Sequence, residues 1–155
     1  MSAEAALARL NITLPAPAAA VANYVPFVRT GSLLVISGQL PLQNGALASG
    51  FSGRLGEGVS PEEAFAAARI AAINVLAQTR AALGSLDRVA RVVRLGGYIS
   101  AVPGYTALPA VMNGASDLMV EVFGEAGRHA RTTIGVSELP LGACIEVEAM
   151  LEILP

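Results

Sequence analysis

Ser60-Pro61-Glu62-Glu63 opens the segment that leaves this chain the least conformational choice. A serine can cap free N–H groups, a proline suits the first helical position, and Glu63 can reach back to complete a capping box. Gly84 offers a left-handed stop after Leu83. The spacing therefore predicts a helix over 61–83, about 35 Å long at 1.5 Å per residue. Phe65, Ala68, Ala72, Ile73 and Leu76 form its apolar stripe, and its many alanines let it lie close to a sheet.

Strand patterns surround that helix. Val21 to Val28 and Leu33 to Gly38 read as two strands joined at Arg29-Thr30-Gly31-Ser32. Leu33-Leu34-Val35-Ile36 is apolar on both faces, as an inner strand would be. Gln39 to Val59 reads as a long functional loop, with five glycines and turn signals at Leu40-Pro41, Asn44-Gly45 and Ser49-Gly50. Leu86 to Ala101 reads as a strand with a bulge or bend at Gly96-Gly97. A second helix ends at Gly124, its start open between Pro109 and the stretch Asn113 to Asp117. Behind a Ser2 cap, residues 3 to 10 form a short docking helix inside an N-terminal extension of residues 1–20.

The chain closes on Arg131 to Val136, a turn at Leu139-Pro140, and Ala143 to Leu151. In the last strand Ile145, Val147, Ala149, Leu151 and Ile153 point one way and Glu146, Glu148 and Glu152 the other. Direct pairing of the two strands as a hairpin would bring Arg131 beside Glu146 or Glu148. The order strand, strand, helix, strand, helix, strand, strand is met by one α+β domain over residues 1–155. It has a single mixed sheet with both helices on one face and another subunit or solvent on the other.

Composition narrows the function classes. Hydrophobic residues make up 54% of the chain against 14% charged, and the mean hydropathy of +0.58 demands an outlet. The uncharged runs 10–28, 30–53 and 95–116 are broken by prolines and polar residues, unlike a membrane span of about 20 apolar residues. A subunit interface is the better outlet, so a homo-oligomer is expected. The alanines at 18–20 and 22 follow no continuous apolar core, as a signal peptide would require. The single Cys144 can form no internal disulfide, which fits a reducing cytoplasm. With a net charge of −2 and no basic run, nucleic acid is disfavoured. Arg88, Arg91 and Arg94 are spaced by three, which on a regular strand alternates faces. The lone His129 supplies no metal set, and neither a nucleophile elbow nor a phosphate loop is present.

Asn23-Tyr24-Val25, Leu34-Val35-Ile36-Ser37-Gly38-Gln39-Leu40-Pro41, the long helix, Asn113, Arg131, the Leu139-Pro140 turn and Ile145-Glu146-Val147-Glu148-Ala149 follow one another in this order. Together they resemble the RidA/YjgF family of enamine and imine deaminases, also called endoribonuclease L-PSP-like, in a longer-chain branch. The resemblance implies a chorismate-mutase-like fold assembled as a homotrimer with clefts between neighbouring subunits. It also implies hydrolysis of 2-aminoacrylate-type enamines and imines to a 2-keto acid and ammonia, with neither metal nor organic cofactor. By motif alignment Arg131 falls on the carboxylate-binding arginine and Glu146 on the acid that holds the water. Tyr24, Ser37, Gly38 and Gln39 match cleft-lining segments, and Thr133 stands where a cysteine is often found.

The residue chemistry agrees with that expectation. A guanidinium offers two parallel N–H groups to a carboxylate, and a placed carboxylate can manage the proton of an attacking water. Two other readings stand beside it: a non-catalytic module that binds small carboxylates, and an endoribonuclease, which the acidic balance disfavours. Residue by residue, Arg131 could simply neutralise Glu146 or Glu148, and Tyr24 could be an interface aromatic. His129 could bond only backbone, Glu148 could support the site or an interface, and Cys144 could be a buried small hydrophobe.

Overall fold

The computed structural model describes residues 2–155. Ser2 caps α1 (Ala3–Arg9) by accepting from the Ala5 N–H, and Ala3, Ala6 and Leu7 bury its inner side. Glu4 accepts from the Arg80 guanidinium and the Leu86 N–H, fixing α1 beside the end of the long helix. The first strand is shorter and later than expected: β1 covers Phe27–Thr30 and turns at Gly31 and Ser32 into β2 (Leu33–Gln39).

The segment read as a loop carries four two-residue strands. β3 (Leu42–Gln43) and β4 (Ala46–Leu47) make a small hairpin around Asn44-Gly45, both at positive φ. β5 (Arg54–Leu55) pairs in parallel with β6 (Gly58–Val59). α2 (Pro61–Leu83) then runs as expected, with the Ser60–Glu63 capping box formed and Gly84 left-handed at φ +81°. A 3₁₀ turn at Leu86–Arg88 leads into β7 (Val89–Ser100).

α3 (Leu108–Phe123) holds Pro109 in its first turn and passes without interruption through Asn113 to Asp117. Gly114 shows why that stretch is helix: a Cβ there would overlap the Phe65 carbonyl of α2, so the glycine lets the two backbones touch. β8 (Ala130–Val136), a 3₁₀ turn at Pro140–Gly142 and β9 (Ile145–Ile153) complete the chain.

The main sheet has the order β1-β2-β9-β7-β8, antiparallel except for the parallel β7–β8 pair. The terminal hairpin is therefore corrected: β7 lies between β8 and β9. Long β7 can serve both neighbours, one on each edge, so two alternating strands close in sequence need not pair. The core lies on one face, where Leu34, Ile36, Leu95, Ile99, Ile145, Val147 and Leu151 meet the alanines of α2 and Val111, Met112, Leu118 and Met119 of α3. Among the described residues the opposite face carries no helix, and Val28, Val35 and Ile134 are exposed.

Gly96-Gly97 is not a bend, since both residues pair in register. The two glycines make room on both faces, for Glu148 beside Gly96 and for Met112 beside Gly97. The irregularities in β7 fall between Val89 and Arg91 and between Val92 and Arg94. The second pairs Arg91 with Glu152 and Arg94 with Met150, so these two arginines share the open face instead of alternating.

Candidate functional site

The cleft forms where β2 leaves its regular register. The β2–β9 pairing slips between Ile36 and Gln39, and the irregular Ser37-Gly38 lies at that slip. Ser37 spends its polar groups on holding the incoming chain: its hydroxyl donates to the Val25 carbonyl at 2.7 Å and its N–H to the Pro26 carbonyl at 2.9 Å. Gln39 is buried, its amide donating to the Ser37 and Gly38 carbonyls at 3.0 and 3.2 Å. Gly38 leaves a gap, which the Glu146 carboxylate fills; a Cβ there would overlap Glu146 Oε1.

Around that carboxylate lies a cleft of about 290 Å³, bordered by Tyr24, Gly38, Gln39, Glu146, Asn74, Gln78 and the largely exposed Leu141. Tyr24 stands half exposed on the rim. Asn74 and Gln78 were not singled out from the sequence. The signal was there: two amides four residues apart stand on one side of an alanine-rich helix. Asn74 donates to the Leu40 and Leu42 carbonyls at 2.8 and 3.1 Å, and Gln78 to Ala18 at 2.7 Å, so both tie connecting chain down onto α2.

Burial pushes the Glu146 carboxyl above its ordinary range, and the charge of Glu148 adds to the shift. Glu148 is anchored. Its Oε1 accepts from the Tyr98 hydroxyl at 3.0 Å and from Arg94 at 3.3 Å, and this bond in turn raises the Tyr98 pKa. Glu146 has no such donor among the described side chains.

Arg131 does not stand beside either glutamate. Its register partner in β7 is Leu95, a core residue that also pairs with Ala149, so the arginine leaves the sheet on the helix side, opposite Glu146 and Glu148. There its guanidinium donates to Asn113 Oδ1 at 2.8 Å, Ser116 Oγ at 3.1 Å and the Pro109 carbonyl at 3.3 Å. All three acceptors are neutral. The ion pairs among the described residues belong to Arg69, Arg80, Arg94 and Arg128, so the Arg131 charge has no carboxylate against it. Of its five N–H groups, two remain unused.

Thr133, two residues on, has its hydroxyl buried without a hydrogen-bond partner. Neither Arg131 nor Thr133 borders the cleft that holds Glu146. A single protomer thus brings together Tyr24, Gly38, Gln39 and Glu146, while Arg131 and Thr133 sit elsewhere. His129 does bond backbone, with Nδ1 2.6 Å from the Gly127 carbonyl, but its Nε2 also meets Ser116 Oγ at 3.0 Å. Cys144 is buried, its thiol pushed up to about 11 by burial. Among the described residues no group of three potential metal ligands occurs, and no helix is long and apolar enough to cross a membrane.

A family profile described as "YjgF/chorismate_mutase-like, putative endoribonuclease" matches residues 4–153. The chain belongs to the RidA/YjgF family. Its mixed sheet backed by α2 and α3 is the chorismate-mutase-like α+β fold of that family, and the match begins inside α1. It is 48% identical over 148 residues to Protein TCP17 of Trypanosoma cruzi, covering 95% of this chain and 91% of that protein. The crystal structure of Atu1372 from Agrobacterium tumefaciens is 43% identical with a TM-score of 0.90, covering 98% of this chain and 92% of that one. RidA from the Antarctic bacterium Psychrobacter sp. PAMC 21119 is 30% identical with a TM-score of 0.63, covering 92% and 97%.

Proposed function

We propose that this RidA/YjgF protein hydrolyses small enamine and imine carboxylates of the 2-aminoacrylate type to a 2-keto acid and ammonia. The reading is carried by Arg131, a cation held on neutral acceptors with N–H groups to spare. Such a group suits a small carboxylate better than it suits a structural ion pair. Because Arg131 and Glu146 emerge on opposite faces of one sheet, the working cleft would combine Arg131 of one copy with Glu146 of the next. The uncovered sheet face with Val28, Val35 and Ile134 supports association into a homotrimer.

An enamine first takes a proton at its terminal carbon and becomes the iminium. Arg131 holds the substrate carboxylate, which places the electrophilic carbon near Glu146. Glu146 accepts a proton as the water oxygen bonds to that carbon, giving a carbinolamine. It returns the proton to nitrogen, the C–N bond breaks with its electron pair going to nitrogen, and ammonia leaves as the hydroxyl gives its proton back to the Glu146 carboxylate and the carbonyl forms. A carboxyl with a raised pKa suits both transfers, worth about 10²–10⁴-fold.

The test is keto acid and ammonia release from freshly generated 2-aminoacrylate. The wild type should accelerate release over buffer, and Arg131→Ala should lose most of that acceleration. Equal rates for the two would remove the arginine from the reaction. Tight 2-ketobutyrate binding without turnover would make the protein a carboxylate-binding module. Metal-independent RNA cleavage lost in a cleft variant would favour the endoribonuclease reading.

A further inference from the structure

Pro109, Asn113 and Ser116 stand at i, i+4 and i+7 of α3, one stripe of the helix surface, and each gives an acceptor to the same guanidinium. A carboxylate in that stripe would hold Arg131 equally well but cancel its charge. Neutral acceptors fix the group and leave the charge for a ligand.

The stripe is backed by His129. The Gly127 carbonyl can only accept, so Nδ1 of His129 carries a proton. In the neutral ring Nε2 is then an acceptor, and the Ser116 hydroxyl must donate to it. That turns the Ser116 lone pairs toward Arg131. The donors therefore run one way, from Arg131 to Ser116, from Ser116 to His129 and from His129 to the Gly127 carbonyl, each bond polarising the next.

We infer that Ser116 and His129 are positioning residues, which aim the Arg131 guanidinium at the substrate carboxylate through the chain Arg131–Ser116–His129–Gly127. The inference rests on the proposed carboxylate-binding role of Arg131. Burial keeps the His129 ring below its ordinary pKa against the opposing pull of the Gly127 bond, with the Arg131 charge helping, and so favours the neutral form the chain requires.

Calorimetric binding of 2-ketobutyrate and 2-aminoacrylate turnover test it in wild type, Arg131→Ala, Ser116→Ala, Ser116→Thr and His129→Gln, with thermal melts beside them. Ser116→Ala and His129→Gln should bind 2-ketobutyrate about tenfold more weakly and raise KM by a similar factor, with kcat within about twofold. Ser116→Thr, which keeps the hydroxyl, should restore binding. If wild type binds and Arg131→Ala does not, yet Ser116→Ala and His129→Gln match wild type, the positioning role is overturned while the function stands. If wild type itself fails to bind, or Arg131→Ala binds as well, the parent reading falls and this one with it. Should Ser116→Ala not fold, His129→Gln alone decides between these outcomes.

Discussion

Replacing Gly38 with alanine should separate stability from activity. The φ of Gly38 lies outside the left-handed region, so alanine can adopt its backbone. Restricting the unfolded chain would by itself add roughly 0.4–1 kcal/mol. The new Cβ, however, falls on Glu146 Oε1. That oxygen ends a flexible side chain, so the carboxylate can swing away at a cost below the ~1–3 kcal/mol of overpacking a locked core. The two effects nearly offset, and the melting free energy should stay within about 1 kcal/mol of wild type. Activity should not. Moving the carboxylate forfeits the proton transfer, worth at least about 10²-fold or roughly 2.7 kcal/mol of barrier. Pyruvate release from 2-aminoacrylate generated in situ, measured beside thermal unfolding, reads both. A Gly38→Ala protein that melts and turns over like wild type would refute the placement of Glu146 as the proton carrier.

Three further outcomes follow from the same geometry. Gly114→Ala meets the Phe65 backbone carbonyl, not a movable side chain, and should destabilise by about 1–3 kcal/mol or more in denaturant titration. Glu146 has a folded pKa above its ordinary 4.5, so in the window just above 4.5 the folded state holds a proton the unfolded chain has lost, and stability falls as pH rises. Glu146→Gln should therefore be the more stable protein at pH 8, an advantage that vanishes at pH 4. Cys144, buried and pushed up to about 11, should resist thiol reagents at pH 8 in the native protein and react once denaturant unfolds it.

Local signals made α2 legible to the residue, because a capping box, an N-terminal proline and a left-handed glycine all act within a few positions of the helix ends. Strand partners depend on distant chain. The alternation of Ile145 to Ile153 gave the right faces, yet nothing within β8 or β9 says that β7 will enter between them. This is why Arg131 was expected beside Glu146 and lies instead against α3. The Gly96-Gly97 pair misled for a related reason: its cause is not backbone bending but the volume of Glu148 and Met112 on either face. Gly38, Gln39 and Glu146, recognised through the family's motif, do meet in one cleft, whereas Ser37 does not line it and instead holds the Val25-Pro26 chain beside it. Asn113 and Ser116 became visible as Arg131 partners only once α3 was continuous through them.

Mixing two inactive proteins tests directly whether one copy's Arg131 works with another copy's Glu146. Arg131→Ala and Glu146→Gln chains, each inactive alone, are unfolded together, refolded at equal concentration and assayed for keto acid release. Random assembly of a ring should give about a quarter of the clefts both native groups, and so about a quarter of wild-type activity. A co-assembled mixture no more active than its parents would contradict a cleft shared between copies.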